Sequence, residues 1–320
     1  MNKKHELLNN PAYDFLINNE NLENMLFLTL SGSYAYGTNV ATSDVDLRGV
    51  VVESKTHLLG FEDFEQFEDS QTDTVIFGLK KFLQLCLKAN PSILELLGTD
   101  EDCIVKMTPM GQKLRENIHL FYSKRVINTF GGYATAQLRR IQNAMCHDTI
   151  DDELKRQHLA TTLNKQLTHF ETTYGKLGAF KIYSKDEKLT IDVNVSGYDL
   201  TDFLGMQSEI SQIVTTYGKL DKRNNKKGDD KLFKHAMHLI RLLLTGTDVL
   251  NGLGIKTRRH VEKALLIDIR NGVYSWDEIF EFVAIYQQNF DSAAKSTLLP
   301  DAPDIEKVQQ LMMDIYEEYL

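Results

Sequence analysis

The sequence predicts an α+β protein in which short strands occupy the first third of the chain and most of the remainder is helical. An apolar run at residues 25–30 ends at Ser31-Gly32-Ser33, as a buried strand does before a tight turn. Further strands are expected at residues 45–53 and 74–77. From Gly78 onward, apolar residues recur every three to four positions, which is typical of helices.

The helical part begins with a helix that Asn90-Pro91 ends and a shorter helix over residues 92–97. We expect an N-terminal domain of residues 1–120 and a mostly helical domain of residues 121–320, with the active site in the cleft between them. Longer helices are expected near residues 118–146, 150–176, 204–218, 229–247, 257–270 and 275–290.

Three segments depart from this helical pattern or from the strands. Residues 188–195 alternate apolar and polar side chains, so they predict a strand that pairs with residues 180–183 in a hairpin. Residues 61–73 are acidic and aromatic without a clear period, and residues 221–230 are charged without an apolar side chain. Both segments are predicted to be exposed loops.

Composition limits the classes of function. The 320 residues are 42% hydrophobic, enough for a substantial core, and the net charge of −9 argues against a surface that wraps nucleic acid throughout. Cys86, Cys103 and Cys146 are widely spaced, so neither a disulfide scaffold nor structural zinc is expected. Without an apolar signal core or a run of about 18 apolar residues, we expect a cytoplasmic protein and no membrane partner. The oligomeric state is left open.

The chemistry is predicted by a cluster near the N-terminus. Asp44 and Asp46 alternate with Val45, so in a strand both carboxylates project to one side and could hold hard cations such as Mg²⁺. Gly32-Ser33 follows a strand and is expected to open a helix, whose unpaired N–H groups attract phosphate. Asp-x-Asp alone is usually a solvated turn or strand edge. In combination, the two features indicate nucleotidyl transfer with two metal ions.

The extended pattern supports a family resemblance. Gly32, Ser33, Gly37, Thr38, Ser43, Asp44, Asp46, Arg48, Gly49 and Val50 form the pattern G-S-x-x-x-G-T-x-x-x-x-S-D-x-D-x-R-G-V. It resembles predicted nucleotidyltransferases of the DNA polymerase β superfamily, and is most similar to the RNA repair pathway DNA polymerase β family. The similarity continues over residues 73–97 and 234–241.

This resemblance implies a small mixed sheet flanked by helices, a nucleoside triphosphate donor and two Mg²⁺ ions, with Mn²⁺ as a substitute. It also implies a third carboxylate beside Asp44 and Asp46. Asp73, which precedes the apolar residues 75–77, is the first choice by order in the chain. Asp192 is the second choice, although it could equally be a polar residue on the wet face of the predicted hairpin.

A helix near residues 229–247 supplies further candidates. Lys234, His238 and Arg241 fall on one helical stripe opposite an apolar seam, as suits one wall of a cleft. They are expected to bind the triphosphate together with Gly32 and Ser33, although an ordinary solvated basic face has the same period. Arg48 follows the aspartates on their strand face, where it could balance their charge or contact phosphate.

The resemblance leaves the acceptor open. An RNA 3′ end, such as that of a broken tRNA, is expected by family analogy. The alternatives are transfer of AMP to a protein side chain or a small molecule, and a non-catalytic, antitoxin-like binding protein that keeps the fold. The intact Gly-Ser and Asp-x-Asp motifs argue against the last alternative.

Overall fold

The computed structural model describes residues 10–40, 42–149, 180–185, 188–194 and 229–319, and a few single positions outside these ranges. Two compact units are present: Met1–Leu138 with Phe233–Leu320, and Arg139–Leu232. The first unit combines the strand-bearing N-terminal part with the C-terminal helices. The functional division into residues 1–120 and 121–320 stays a prediction.

Five short strands form one sheet. They are β1 (Met25–Leu30), β2 (Leu47–Val51), β3 (Gln66–Asp69), β4 (Thr74–Gly78) and β5 (Ile104–Met107). The strand order is β3-β4-β2-β1-β5. Strand β1 is antiparallel to β2 and β5, whereas β2 is parallel to β4, and β3 is antiparallel to β4. The sheet is therefore mixed, as predicted.

Helices account for most of the remaining described chain. They are α1 (Phe15–Asn18), α2 (Gly32–Tyr36), α3 (Lys55–Leu59), α4 (Leu79–Leu87), α5 (Pro91–Leu97), α6 (Pro109–Glu116), α7 (Arg125–Thr149), α8 (Asp229–Leu250), α9 (Lys263–Arg270), α10 (Trp276–Ser296) and α11 (Ile305–Tyr319). In the described ranges, no helix is long and apolar enough to cross a membrane.

The register of the sheet determines where polar chemistry collects. Leu30, the last residue of β1, pairs with Leu47 at the start of β2, and Leu47 pairs with Thr74 at the start of β4. The chain therefore leaves β1 at the same end of the sheet where it enters β2 and β4. Residues just after β1 and just before β2 and β4 must meet there.

The core fixes that end of the sheet. All six residues of β1 are buried. The ring of Phe27 packs edge to face against Phe82 of α4, with centroids 6.0 Å apart. Each such buried side chain contributes roughly 1.5–3 kcal/mol to stability. The C-terminal helix is tied to the same core because the Tyr316 hydroxyl donates to the buried Glu53 carboxylate at 2.7 Å.

Several sequence predictions about the elements are confirmed. Strands β1 and β4, helices α4 and α5, and the long helix at residues 229–250 lie where they were expected. The hairpin is also confirmed: β6 (Phe180–Lys185) pairs antiparallel with β7 (Lys188–Val193). Predicted helices at residues 150–176 and 204–218, and most of the predicted loop at residues 221–230, lie outside the described ranges.

Other sequence predictions are wrong. The segment at residues 61–73 is not all loop, because β3 forms within it and pairs with β4. An edge strand with mixed polar residues lacks the clean alternation that marks a half-buried strand. Several elements were missed, among them β5, α6 and α11. Strand β2 begins at Leu47, so Asp44 and Asp46 precede the strand instead of lying within it.

Candidate active site

A cavity of about 580 Å³ opens at the end of the sheet identified above. Its lining comes from the turn after β1, from the residues before β2 and β4, from the start of α5, and from α7, α8 and α9. All of these lining residues belong to the unit that combines Met1–Leu138 with Phe233–Leu320. Each predicted site residue in that unit lines this cavity.

The turn after β1 requires glycine. The Ser31 N–H donates to the Asp46 carbonyl at 2.8 Å and extends the pairing of β1 with β2. Gly32 then adopts φ +56° and opens α2. A Cβ atom at this position would collide with the Asp46 carboxylate. The prediction that Gly32-Ser33 opens a helix is confirmed, and the absence of a side chain lets the backbone approach the acid.

Asp46 and Asp73 lie side by side at the cavity floor. Burial, the hydrogen bond with Asp73 and the negative charge of Asp73 together raise the pKa of Asp46 to about 6, and burial is the largest cause. The same hydrogen bond, together with Arg48, lowers the pKa of Asp73. The pair is therefore poorly disposed to carry two full negative charges. A cation would relieve that repulsion.

Arg48 supplies part of the required positive charge. One of its Nη atoms lies 2.9 Å from Oδ1 of Asp73, and the other donates to the Leu47 carbonyl at 2.8 Å and to the Asp73 carbonyl. Of the two roles predicted for Arg48, charge balance is the one these contacts favour. Its contact with phosphate stays a prediction.

Asp44 also lines the cavity, but its side chain is exposed. Within the described ranges, no three His, Cys, Asp or Glu side chains form a group that could hold a metal ion by themselves. The metal site formed by Asp44, Asp46 and Asp73 therefore stays a prediction. Any such site would need oxygen ligands from a substrate and from water.

Helix α8 presents its basic residues to the cavity, but these residues differ in exposure. Arg241 is 5% exposed and is paired with Glu95, which is 3% exposed. Its guanidinium stacks 3.6 Å above the ring of Tyr36, whose hydroxyl donates to Glu95 at 2.7 Å. One Nη atom of Arg241 is thus committed to Glu95, whereas its Nε is buried without a partner among the described residues. Its predicted contact with phosphate stays a prediction.

His238 lies one turn before Arg241 and contacts the ring of Tyr36 edge to face, with centroids 6.4 Å apart. Burial, the largest cause, and the nearby charges of Arg241 and Lys234 together lower the pKa of His238 to about 3. The imidazole is therefore neutral at pH 7. Lys234 is exposed at the cavity, and its charge lowers the pKa of Asp46.

Sequence reasoning missed several residues that line the cavity. Arg270, the last residue of α9, donates to the Thr38 carbonyl and to Oγ of Ser43, the latter at 3.4 Å. On α7, Tyr133 and Gln137 are one turn apart, and Oε1 of Gln137 is buried without a partner among the described residues. No motif identifies these side chains, because only the tertiary fold brings α7 and α9 to the sheet.

Asp192, the alternative third carboxylate, lies in the other compact unit, Arg139–Leu232. It is exposed on β7 and accepts a hydrogen bond from the Tyr183 hydroxyl at 3.2 Å. Asp192 therefore occupies a solvent-exposed position of the hairpin, as the alternative interpretation of this residue predicted. Asp73, in contrast, is hydrogen-bonded to Asp46.

Comparison with protein families gives one match. The sequence model of the RNA repair pathway DNA polymerase beta family matches residues 15–314. The matched range includes all strands of the five-stranded sheet and every residue that lines the cavity. Comparisons with curated proteins and with solved structures gave no match.

Proposed function

Since the chain belongs to the RNA repair pathway DNA polymerase beta family, we propose that it transfers a nucleoside monophosphate from a nucleoside triphosphate to an RNA 3′ hydroxyl, with Mg²⁺ as cofactor. The family name points to a polymerase β-like nucleotidyltransferase in RNA repair. Our proposal goes beyond the family name in four respects: the metal, the donor, the acceptor and the cytoplasmic location.

One observation supports the proposal above the others. The carboxyl groups of Asp46 and Asp73 lie side by side in a cavity that is also lined by the exposed Lys234. A paired acid at one side and a cation at the other match the reacting parts of a nucleoside triphosphate. The α-phosphate would lie near the acids and the remaining phosphates near the cation.

The residues around the cavity then have defined tasks. The backbone at Gly32-Ser33 contacts phosphate without a Cβ in the way. Asp73, whose pKa is lowered, is ionised and orients the acceptor hydroxyl, and can accept its proton. Arg48 holds Asp73 in place through the 2.9 Å ion pair. His238, neutral because of its burial, can donate or accept one hydrogen bond.

The carboxylates suit a divalent cation. Mg²⁺ prefers carboxylate and phosphate oxygens and retains several waters, so Asp46 and Asp73 would hold it together with the triphosphate, and Asp44 lies at the same cavity. When bound, a pair of such ions activates the attacking hydroxyl and stabilises the leaving pyrophosphate. Mn²⁺ is expected to substitute.

An assay with two classes of acceptor tests the proposal. The protein is incubated with each α-labelled nucleoside triphosphate, Mg²⁺, and either total RNA or total cell protein. Label on RNA 3′ ends, lost in the variant Asp44→Ala with Asp46→Ala, is the expected result. Label confined to protein would instead support AMP transfer to side chains. Absence of nucleotide binding by the wild type would favour a non-catalytic binding protein.

A further inference from the structure

Arg270 differs from the other arginines around the cavity in its partners. Its contacts are the carbonyl of Thr38 and the hydroxyl oxygen of Ser43, both of which are neutral. Among the residues that the structure describes, no carboxylate lies within ion-pair distance of its guanidinium. By contrast, Arg48 is paired with Asp73 and Arg241 with Glu95.

Within the described part of the chain, this arrangement leaves a partly buried positive charge without a negative partner. Removing a guanidinium from water without compensation is unfavourable, and burial lowers the pKa of Arg270 below its ordinary value. A guanidinium has five N–H donors, and these two contacts use only part of them. Because Arg270 lines the cavity, its remaining N–H groups are available to a ligand there.

We propose that Arg270, together with Lys234, binds the β- and γ-phosphates of the donor, and that Arg241 is a positioning residue held by Glu95. The inference rests on the proposed function and deepens it. A planar guanidinium fork matches two phosphate oxygens at once, and Lys234 adds a point charge. Arg241, buried between Glu95 and Tyr36, instead shapes the cavity wall.

The same side chain links the phosphates to the acids. Arg270 contacts Thr38 at one end of a loop and Ser43 at the other, and Ser43 directly precedes Asp44. The Val40 N–H also donates to Oγ of Ser43 at 2.8 Å, which closes the loop on itself. A phosphate bound to Arg270 would therefore stabilise the segment that carries Asp44 and Asp46.

Binding of sodium tripolyphosphate, compared with binding of AMP, tests the role of Arg270. Titration calorimetry is applied to the wild-type protein, Arg270→Gln and Arg270→Lys. The matched control is Lys263→Gln, which removes one positive charge from the exposed start of the same helix, outside the cavity. Thermal melting checks that each variant is folded.

We expect Arg270→Gln to weaken tripolyphosphate binding by about 10- to 100-fold, the range for charge-assisted hydrogen bonds. AMP binding should change by less than about threefold, because AMP has no β- or γ-phosphate. Arg270→Lys should show an intermediate loss, since it keeps the charge but not the fork. If Arg270→Gln does not fold, the intermediate loss in Arg270→Lys carries the test. The control should bind like the wild type.

Three results would overturn the inference. If Arg270→Gln binds tripolyphosphate within twofold of the wild type, Arg270 does not contact the phosphates. If transferase activity falls while tripolyphosphate binding is unchanged, Arg270 acts only through its contacts with the loop at Thr38 and Ser43. Equal losses for tripolyphosphate and AMP would indicate general disturbance of the site. In each case a wild type that transfers nucleotides keeps the proposed function intact, whereas a wild type that binds neither tripolyphosphate nor ATP contradicts both.

Discussion

The cavity has a wall formed at the end of the sheet and a wall formed by helix α8. These two walls differ in the sequence separation between the residues that contact one another. On the sheet wall, Gly32, Asp46 and Asp73 come together because adjacent strands begin and end at the same edge. On the helix wall, Arg241 pairs with Glu95, which is 146 positions away. The sheet wall is organised by local motifs and strand register. The helix wall depends on tertiary packing, and its cations differ in burial despite their common helical stripe.

The largest expected effect comes from the sheet wall. Asp46→Ala should lower the rate of nucleotide transfer on the order of 10³-fold or more, as removal of a central catalytic group does. Stability should not fall in parallel, because Asp46 is a half-buried acid in contact with a second acid. Steady-state rates and melting temperatures of the same preparation check both parts. A similar loss of rate and of folded protein would contradict the catalytic role.

On the helix wall the largest effect should be on stability. Glu95→Ala leaves Arg241 buried without its anion, and removal of one partner of a buried pair costs about 3–5 kcal/mol. Urea denaturation measures the loss of free energy of unfolding. The matched variant, Glu95→Leu with Arg241→Met, removes both charges and should recover most of that loss. A loss below about 1 kcal/mol in Glu95→Ala would show that the pair is not a structural anchor.

Gly32→Ala tests the close approach on the sheet wall. The new Cβ would meet the Asp46 carboxylate in a residue at φ +56°, so stability should fall by at least about 1–2 kcal/mol and activity should fall with it. Gly132→Ala is the control, because its Cβ would meet no atom within 4 Å. In the interior of α7 that change should leave stability equal or up to about 1 kcal/mol higher. Equal behaviour of the two variants would contradict the steric argument.

The smallest effect concerns the pH dependence of the helix wall. The pKa of His238 is lowered to about 3 from an ordinary 6.5, so between these values the unfolded chain binds a proton that the folded protein excludes. Stability from this residue is therefore lost as the pH falls below 6.5. Between pH 7 and pH 5 the wild type should lose about 2 kcal/mol more than His238→Gln.

Urea denaturation of both proteins at each pH measures that difference. The comparison also cancels the opposite contribution of Asp46, whose raised pKa stabilises the fold as the pH falls. Identical pH profiles of wild type and His238→Gln would mean that His238 is protonated, or readily solvated, in the folded protein.

The sequence predicted the sheet wall better than the helix wall for a physical reason. A strand, a Gly-Ser turn and two acids lie within a short segment, so the acids stay close to the turn even though they precede β2. Asp73 could be ranked by chain order because β4 lies beside β2. Helical periodicity correctly brought Lys234, His238 and Arg241 to one wall.

The remaining features needed the fold. Periodicity cannot distinguish a solvated cation from one buried against a distant acid, so the commitment of Arg241 to Glu95 was not foreseen. Arg270 ends a short helix, and nothing in its neighbouring residues marks it as part of the cavity. Strand β3 was missed because it forms by pairing with β4, and its partly exposed residues show no clear alternation.

Position-specific labelling of the donor tests the central claim most directly. Wild-type protein is incubated with RNA, Mg²⁺ and either α-labelled or γ-labelled nucleoside triphosphate, and the RNA and the released phosphates are separated. We predict that the α label joins the RNA 3′ end while the γ label leaves in pyrophosphate. Transfer of the γ label, or release of inorganic phosphate without any α label on the acceptor, would contradict nucleotidyl transfer.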